Sequence, residues 1–313
     1  MKIYLALLFF LSLASLSYAQ NKQGIVTVPV CDLRSSIGTP LPQNHAYDPH
    51  QESQLLYGEG VEIISEKNGW YHVEAKEQLE FSHNNRWQGY PGWIQKENVS
   101  LIKEIPPKNY IVQKKTAKLY TEPHSYSPHH FLSLGTKLSC TPTVKNGFRE
   151  VRTIPGQVGW IKNKDIRSLE ASLTEKGKRK MILSSAKELL GDTYFWGGKS
   201  AYIPQLINQV TGVDCSGLVL LSYSVAGMDI PRDAYEQFLK CTRIQKKDLK
   251  EGDLLFSADP KQPEKVTHVA LYLDKDSLLE GPQTGKKVRI ISFKKKYNHL
   301  ERVFYFGTYL TSP

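Results

Sequence analysis

Cys215 is the first candidate for chemistry in this sequence. It lies in Asp214-Cys215-Ser216-Gly217, which the apolar residues 218–221 follow at once. The pattern predicts a buried helix of about two to three turns that begins at Asp214, with the cysteine in its first turn. A helix N-terminus favours thiolate over thiol, so Cys215 is placed to act as a nucleophile. A small core cysteine is the alternative reading of the same pattern.

His268 is the matching candidate for a base. It lies near the start of residues 266–273, an alternating, β-branched and aromatic segment that predicts a strand. Because it follows Cys215 by 53 positions, only the fold can join the two, as is common for catalytic cysteine and histidine. Between them, residues 250–257 predict a turn at Gly252 and another strand. A lone histidine on a strand is usually structural, so the pair carries the argument.

Five short segments surround these two residues in a fixed order. They are Tyr194-Phe195-Trp196-Gly197-Gly198, Asp214-Cys215-Ser216-Gly217-Leu218, Pro231-Arg232-Asp233-Ala234-Tyr235-Glu236-Gln237, Gly252-Asp253-Leu254-Leu255-Phe256 and His268-Val269-Ala270-Leu271-Tyr272. With them the chain resembles the NlpC-type peptidoglycan peptidases, papain-like cysteine enzymes of the bacterial cell wall. The resemblance covers roughly residues 175–313 and extends, upstream, to the subgroup of γ-D-glutamyl-L-diamino acid endopeptidases. It implies an α+β fold and hydrolysis of wall peptides.

The resemblance also implies a third catalytic group and an oxyanion site. Family members usually carry a histidine, asparagine or glutamine on the strand after the catalytic histidine, whereas this sequence has Glu280 there. A carboxylate accepts a ring N–H well and would raise the pKa of His268. An exposed or misaligned Glu280 would be a mere surface charge. Tyr194 corresponds to a family tyrosine near the oxyanion site, and its hydroxyl is expected to face Cys215.

A pocket for the amino end of the substrate follows from the same resemblance. The positions that match the family's glutamate and tyrosine are Glu52 and Tyr90, although both could instead be ordinary β-domain residues. A buried ammonium needs carboxylate partners, and Asp214 would be a further one. Asp214 could equally cap its helix. Ser257 is a weaker candidate for the same pocket, since a serine that ends a strand is often part of a turn.

Arg232 and Asp233 follow Pro231 at a predicted helix start. We expect them to form a structural pair rather than to contact the substrate.

The residues before the catalytic part contain an internal repeat. Each copy has short alternating strands, an Asn-Gly turn (Asn68-Gly69 and Asn146-Gly147) and a closing Gly-Trp-Ile (Gly92-Trp93-Ile94 and Gly159-Trp160-Ile161). This pattern is typical of small β-barrels, and both copies resemble bacterial SH3-like domains.

Three segments interrupt the pattern. Residues 75–88 lengthen the first copy and are aromatic enough to cover the active site, although a surface insertion is the alternative. Residues 38–51 carry several prolines and are expected to be irregular. Residues 199–213 lengthen the connection to the nucleophile and suggest an extra helical turn or a lid.

The N-terminus predicts export. Residues 1–19 have a lysine, an apolar stretch and a Ser-Tyr-Ala cleavage site, and the stretch is too short for a membrane span. Residue 20 is glutamine, so a lipid anchor has no cysteine to attach to. The predicted location is the periplasm, the cell wall or the medium.

Composition limits the other partners. Four widely spaced cysteines without a Cys/His cluster predict neither a metal site nor a cofactor, and a disulfide between Cys31 and Cys140 competes with simple burial of both. The net charge of +10 favours acidic partners such as wall peptides, although ordinary solvated faces explain the lysine runs equally well. The basic runs lack the interleaved aromatics of a nucleic-acid groove. The oligomeric state is not indicated.

The predicted domains are a signal peptide (1–19), an SH3-like domain with an insertion (25–103), a second SH3-like domain (108–170) and a papain-like peptidase domain (175–313). The expected function is hydrolysis of the γ-D-glutamyl-L-diamino acid bond of stem peptides in muropeptides, with a free N-terminal L-Ala required. The alternatives are a wall-binding protein with a degenerate peptidase domain and a papain-like acyltransferase.

Overall fold

Two β-rich units precede a mixed helix and sheet unit in the computed structural model, which describes residues 22–154, 156–298 and 301–310. The predicted signal peptide lies outside the described residues. Within them, no helix combines the length and the apolarity that a membrane span needs. The fold class is α+β, as the sequence predicted.

The first β unit, residues 22–102, is a single antiparallel sheet. Its strands are β1 (Lys22–Val26), β2 (Val30–Arg34), β3 (Gln51–Leu56), β4 (Gly60–Lys67), β5 (Trp70–Glu80), β6 (Gln88–Gln95) and β7 (Val99–Ile102). They are ordered β3-β2-β6-β5-β4-β1-β7. Asn68 and Gly69, which join β4 to β5, have φ values of 48° and 79°, as a type I′ hairpin requires. The irregular segment predicted between β2 and β3 is confirmed.

The second β unit, residues 110–168, repeats that turn. It contains β8 (Tyr110–Val112), β9 (Thr116–Tyr120), β10 (His130–Ser133), β11 (Lys137–Leu138), β12 (Cys140–Lys145), β13 (Phe148–Arg152), β14 (Val158–Lys162) and β15 (Ile166–Ser168). They form a five-stranded sheet, β10-β9-β14-β13-β12, and a three-stranded sheet, β11-β8-β15. Asn146 and Gly147 again have positive φ values, 52° and 79°. The assignment of both units to the SH3-like class stays a prediction.

The third unit, residues 175–310, carries the predicted catalytic segments, and we call it the catalytic unit. Its elements are α1 (Glu175–Glu188), α2 (Cys215–Val225), α3 (Ala234–Lys240), β16 (Thr242–Ile244), β17 (Leu254–Ala258), β18 (Val266–Asp274), β19 (Ser277–Glu280), β20 (Arg289–Ser292), α4 (Phe293–Asn298) and β21 (Val303–Thr308). The strands form one antiparallel sheet in the order β16-β21-β17-β18-β19-β20. Helix α2 is buried along its whole length and packs on α1 and β18. The helix that begins at Cys215 is therefore the centre of the core.

Cys31 and Cys140 are buried free thiols in different β units, so of the two alternatives for this pair burial is confirmed and the disulfide is not. One expectation is corrected. Residues 199–213 contain turns and isolated bridges but no helical turn. They pack on the first β unit rather than acting as a helical lid, because Gln54 donates to the carbonyl of Val210 (2.7 Å) and His45 bonds that of Thr211 (2.9 Å).

The first β unit is held against the catalytic unit by buried polar contacts. The Gln54 side-chain oxygen accepts from the Ser200 hydroxyl at 2.8 Å and from the Lys199 N–H at 3.2 Å. The Lys199 ammonium pairs with Glu59, and both side chains are almost fully buried. Because such groups are costly to bury unpaired, these contacts define how the units dock. As a result, side chains of β3 and β6 lie against the catalytic unit.

Candidate active site

Helix α2 presents Cys215 at its N-terminus. Asp214 is the N-cap, and its carboxylate accepts from the Gly217 N–H at 2.6 Å. Its carbonyl accepts from the Leu218 N–H at 3.1 Å. The N–H groups of Cys215 and Ser216 come before those of Gly217 and Leu218 in the first turn. N–H groups at this end of an α-helix can donate to a bound anion.

The Cys215 thiol lies in a desolvated environment. It is 8% exposed, and burial raises its pKa to about 12, with the Asp214 charge adding to the rise. Hydrogen bonds from the backbone N–H groups of Val269 and Ser216 act in the opposite direction. The pKa of the thiol is therefore raised, whereas the helix N-terminus alone would lower it, because loss of hydration outweighs the helix dipole here. The thiol therefore needs a base to accept its proton.

His268 lines the same cavity as Cys215 and is oriented by Glu280. The carboxylate of Glu280 lies 3.0 Å from Nε2 of His268 and is fully buried. A carboxylate only accepts, so Nε2 carries a proton and Nδ1 is the ring atom left for proton transfer with the thiol. The surface-charge reading of Glu280 is wrong. The second Glu280 oxygen accepts from Arg289 at 3.0 and 3.2 Å.

Arg289 was missed by the sequence analysis. The feature that could have identified Arg289 is the β19–β20 hairpin, in which Glu280 and Arg289 are direct cross-strand partners of opposite charge.

Tyr194 lies beside Cys215, in the wall between two cavities that meet at the thiol. Burial keeps the pKa of its hydroxyl far above the ordinary value, and the neighbouring Cys215 adds to the effect. The hydroxyl is thus a permanent donor. The two glycines after Trp196 are needed for close packing: a Cβ on Gly198 would lie 2.4 Å from the carbonyl of Gly212, and Gly197 has φ +69°.

The cavity on one side of the thiol, which we call the amino-end cavity, is acidic. The Tyr90 hydroxyl on β6 lies 3.0 Å from an Asp233 oxygen and 3.3 Å from a Glu52 oxygen on β3, so the two carboxylates share its one proton. All three line this cavity together with Cys215. Two carboxylates and a phenol converging on one space make a suitable site for an ammonium group.

Asp233 is a site residue that sequence reasoning undervalued. It precedes α3 as the N-cap residue, yet its side chain makes no capping bond and turns to Tyr90 instead. Burial raises its pKa to about 7, and the charges of Glu236 and Asp214 add to the rise, against the lowering effect of Arg232. A cationic ligand would stabilise its ionised form.

Asp214 borders the amino-end cavity but is already paired. Arg232, which is fully buried, holds both Asp214 oxygens at 2.8 and 3.1 Å and lies 3.4 Å from Asp233. The same guanidinium donates to Ser53 of the first β unit at 2.8 Å. Asp214 therefore caps α2 and anchors Arg232, and any contact with a substrate would be shared with these partners. The predicted Arg232–Asp233 pair is present.

The lengthened β5–β6 hairpin closes one side of the amino-end cavity. Its strands continue pairing to Glu80 and Gln88, and the connecting loop bonds α3 through Ser82 and Glu236. His83 lies 3.6 Å from Glu52 and 3.0 Å from Glu80, and the bond to Glu52 is the main reason why its pKa is raised to about 9. The insertion thus borders the active site and supplies a cation beside Glu52.

Ser257 does not lie in the amino-end cavity, contrary to expectation. The β17–β18 register sets it opposite His268, and it lines the cavity on the other side of Cys215, which we call the leaving-side cavity. There its hydroxyl accepts from Arg302 at 3.4 Å, a contact that the sequence analysis did not anticipate. Glu52, Tyr90 and Asp233 thus line the amino-end cavity, and Ser257 does not.

The chain is similar to two known peptidases. It is 29% identical over 242 residues to the γ-D-glutamyl-L-lysine dipeptidyl-peptidase of Bacillus subtilis (strain 168), covering 77% of this chain and 75% of that protein. It is also 29% identical over 247 residues to the protein of that name from Bacillus cereus (strain ATCC 10987 / NRS 248), covering 77% and 70%.

The fold is shared with a solved structure. An NlpC/P60 family protein from Bacillus cereus ATCC 10987 superposes with a TM-score of 0.76 at 22% identity, covering 92% of this chain and all of that one. The likeness therefore extends to both β units. The profile of the NlpC/P60 family matches residues 191–304. The segment that holds Cys215, His268 and Glu280 is thus similar to the NlpC/P60 family over residues 191–304.

Proposed function

We propose that this protein is a cysteine peptidase that hydrolyses peptidoglycan stem peptides at the γ-D-glutamyl-L-diamino acid bond and requires a free N-terminal L-Ala. The observation that carries the proposal is the location of Cys215 between a desolvated histidine–carboxylate pair and an acidic cavity. Two relatives that share most of their length with this chain are named for this bond with lysine as the diamino acid.

The proposed acylation step begins at the thiol. Sγ of Cys215 attacks the amide carbon while its proton passes to Nδ1 of His268. The oxyanion is stabilised by the Cys215 N–H at the helix end and by the Tyr194 hydroxyl. His268 then protonates the leaving amine, the C–N bond breaks and a thioester remains. Glu280 stabilises the imidazolium that exists between these two transfers.

Deacylation reverses the proton path. Water attacks the thioester carbon and gives a proton to His268, which returns it to the sulfur as the acid product leaves. The free amino end is recognised by Glu52, Asp233 and Tyr90. An N-acylated or glycan-linked stem would put an uncharged, bulkier group against two carboxylates, which is unfavourable.

The alternative of a degenerate, purely wall-binding protein rested on the unusual Glu280. Its burial against His268 argues against that alternative. We further propose, from residues 1–19, that the protein acts outside the cytoplasm. N-terminal sequencing of protein recovered from periplasm or medium tests this, with residue 20 expected first.

The test of the function is incubation of L-Ala-γ-D-Glu-meso-diaminopimelate with the protein and with Cys215→Ala. Mass spectrometry should detect L-Ala-γ-D-Glu and free diaminopimelate with the wild-type protein only. Added glycinamide should not appear in any product. A glycinamide adduct would support the acyltransferase, and no cleavage of this peptide or of intact muropeptides would favour the binding protein.

A further inference from the structure

The leaving-side cavity is a chamber of about 580 Å³ that the proposed chemistry leaves without an assigned ligand. It shares Cys215 and Tyr194 with the amino-end cavity, but among the two it is the one that His268 lines. Because His268 must protonate the departing amine, this cavity receives the leaving half of the substrate.

The charge of this cavity is set by Arg302. Among the described residues that line it, none is aspartate or glutamate. Arg302 is half-buried just before β21, and one of its terminal nitrogens donates to Thr267 Oγ1 at 2.6 Å, to the Ser257 carbonyl at 3.3 Å and to Ser257 Oγ at 3.4 Å. These partners are neutral, and within the described ranges Arg302 makes no salt bridge with an acidic residue. They orient the guanidinium without cancelling its charge.

We propose that Arg302, held by Ser257 and Thr267, binds a free carboxylate of the leaving diamino acid. This inference rests on the proposed function and adds a recognition element for the leaving half. A planar guanidinium is well suited to a carboxylate, which it can bind through two parallel hydrogen bonds.

The two cavities then have opposite electrostatic character on either side of one thiol. Glu52 and Asp233 face the side that takes the ammonium, and Arg302 faces the side that takes the carboxylate. A short free peptide carries these charges at its two ends, so the arrangement selects its direction of binding. Tyr47 and Trp196 pack edge to face at 5.4 Å in the leaving-side wall and offer an apolar surface to the diamino acid's methylene chain.

Within the leaving diamino acid, the carboxylate has two possible sources: its α-carboxylate, or the side-chain carboxylate of meso-diaminopimelate. Tripeptides that begin with L-Ala-γ-D-Glu and differ in the third residue distinguish the two sources. The peptides that end in L-Lys and in L-lysinamide differ only in the α-carboxylate. The peptides that end in meso-diaminopimelate and in L-Lys differ in the side-chain carboxylate. The value of kcat/KM would be measured for each with wild-type protein, Arg302→Gln and Arg302→Lys. Arg152→Gln, at an exposed position on β13, is the matched control.

Wild-type protein and Arg152→Gln should favour the carboxylate-bearing member of one pair by about 10- to 100-fold. Arg302→Gln should reduce that ratio to about one by losing activity on the acid, while Arg302→Lys should retain part of it. The pair that shows the effect identifies the carboxylate. Equal rates within both pairs for wild-type protein, or a preference that survives in Arg302→Gln, would overturn the inference.

A binding measurement separates this inference from the function itself. Calorimetric titration of Cys215→Ala and of Cys215→Ala/Arg302→Gln with the same peptides needs no turnover. Carboxylate-selective binding that depends on Arg302, without cleavage by the wild-type protein, would support the carboxylate site at Arg302 and contradict the peptidase proposal. Binding that is indifferent to the carboxylate would overturn the inference even if cleavage occurs. Circular dichroism establishes that each variant is folded.

Discussion

Glu280 Oε2 lies 3.0 Å from His268 Nε2, and Arg289 holds the other oxygen of the same buried carboxylate. The first prediction concerns this contact. Glu280→Ala should lower kcat by about 10²- to 10⁴-fold, because the imidazole loses both its orientation and the charge that stabilises the imidazolium. Steady-state kinetics on the diaminopimelate tripeptide measures the loss.

Glu280→Gln is the informative companion. Its amide oxygen can still accept from Nε2, as the asparagine of papain-like proteases does, but its NH₂ would then face Arg289. We expect activity between that of wild type and Glu280→Ala, improved by a second change, Arg289→Gln. Full activity of Glu280→Ala would show that the carboxylate has no part in catalysis.

The second prediction is a pH dependence of amine binding. Asp233, with a pKa raised to about 7 mainly by burial, is neutral below that pH and anionic above it. Affinity for the dipeptide L-Ala-γ-D-Glu should therefore rise as pH increases from 5.5 to 7.5. It should fall again above pH 8, because an α-amino group loses its proton with a pKa of about 7.7 to 8.0.

The measurement is calorimetric titration of Cys215→Ala with this dipeptide across that range, which removes the catalytic thiol from the profile. Asp233→Asn should bind more weakly and lose the acidic limb centred near pH 7. An unchanged acidic limb in Asp233→Asn would assign the titration to another group.

The third prediction concerns stability. Arg232→Met leaves Asp214 buried beside α2 without its cationic partner, which should reduce the free energy of unfolding of the catalytic unit by about 3 to 5 kcal/mol. Urea denaturation followed by circular dichroism reports this loss. Arg152→Gln, at the exposed end of β13, should change it by less than about 0.5 kcal/mol. A loss below about 1 kcal/mol for Arg232→Met would contradict the buried-pair account.

Local patterns sufficed for some parts of this molecule. The apolar run after Asp214 predicted α2, and the alternation around His268 predicted β18, because helix and strand periods are written in neighbouring residues. The Asn-Gly turns were predictable for the same reason.

Other parts depended on contacts between distant residues. Ser257 was assigned to the wrong cavity because only the β17–β18 register decides that it lies opposite His268. Asp233 was interpreted as a partner of Arg232 alone, since its contact with Tyr90 spans 143 positions. The protonation state of Cys215 could not be predicted from the sequence either, because desolvation of the thiol depends on the whole surrounding core.

The most direct test of the central claim is internal competition between L-Ala-γ-D-Glu-meso-diaminopimelate and its N-acetylated, isotopically labelled form in one reaction. With equal starting concentrations and low conversion, the ratio of the two product amounts, measured by mass spectrometry, gives the ratio of kcat/KM values. The account predicts that the free-amine peptide is preferred by at least about 100-fold, that Tyr90→Phe narrows the preference, and that Cys215→Ala forms neither product. Equal cleavage of both peptides by the wild-type protein would contradict an amino-end site built from Glu52, Tyr90 and Asp233.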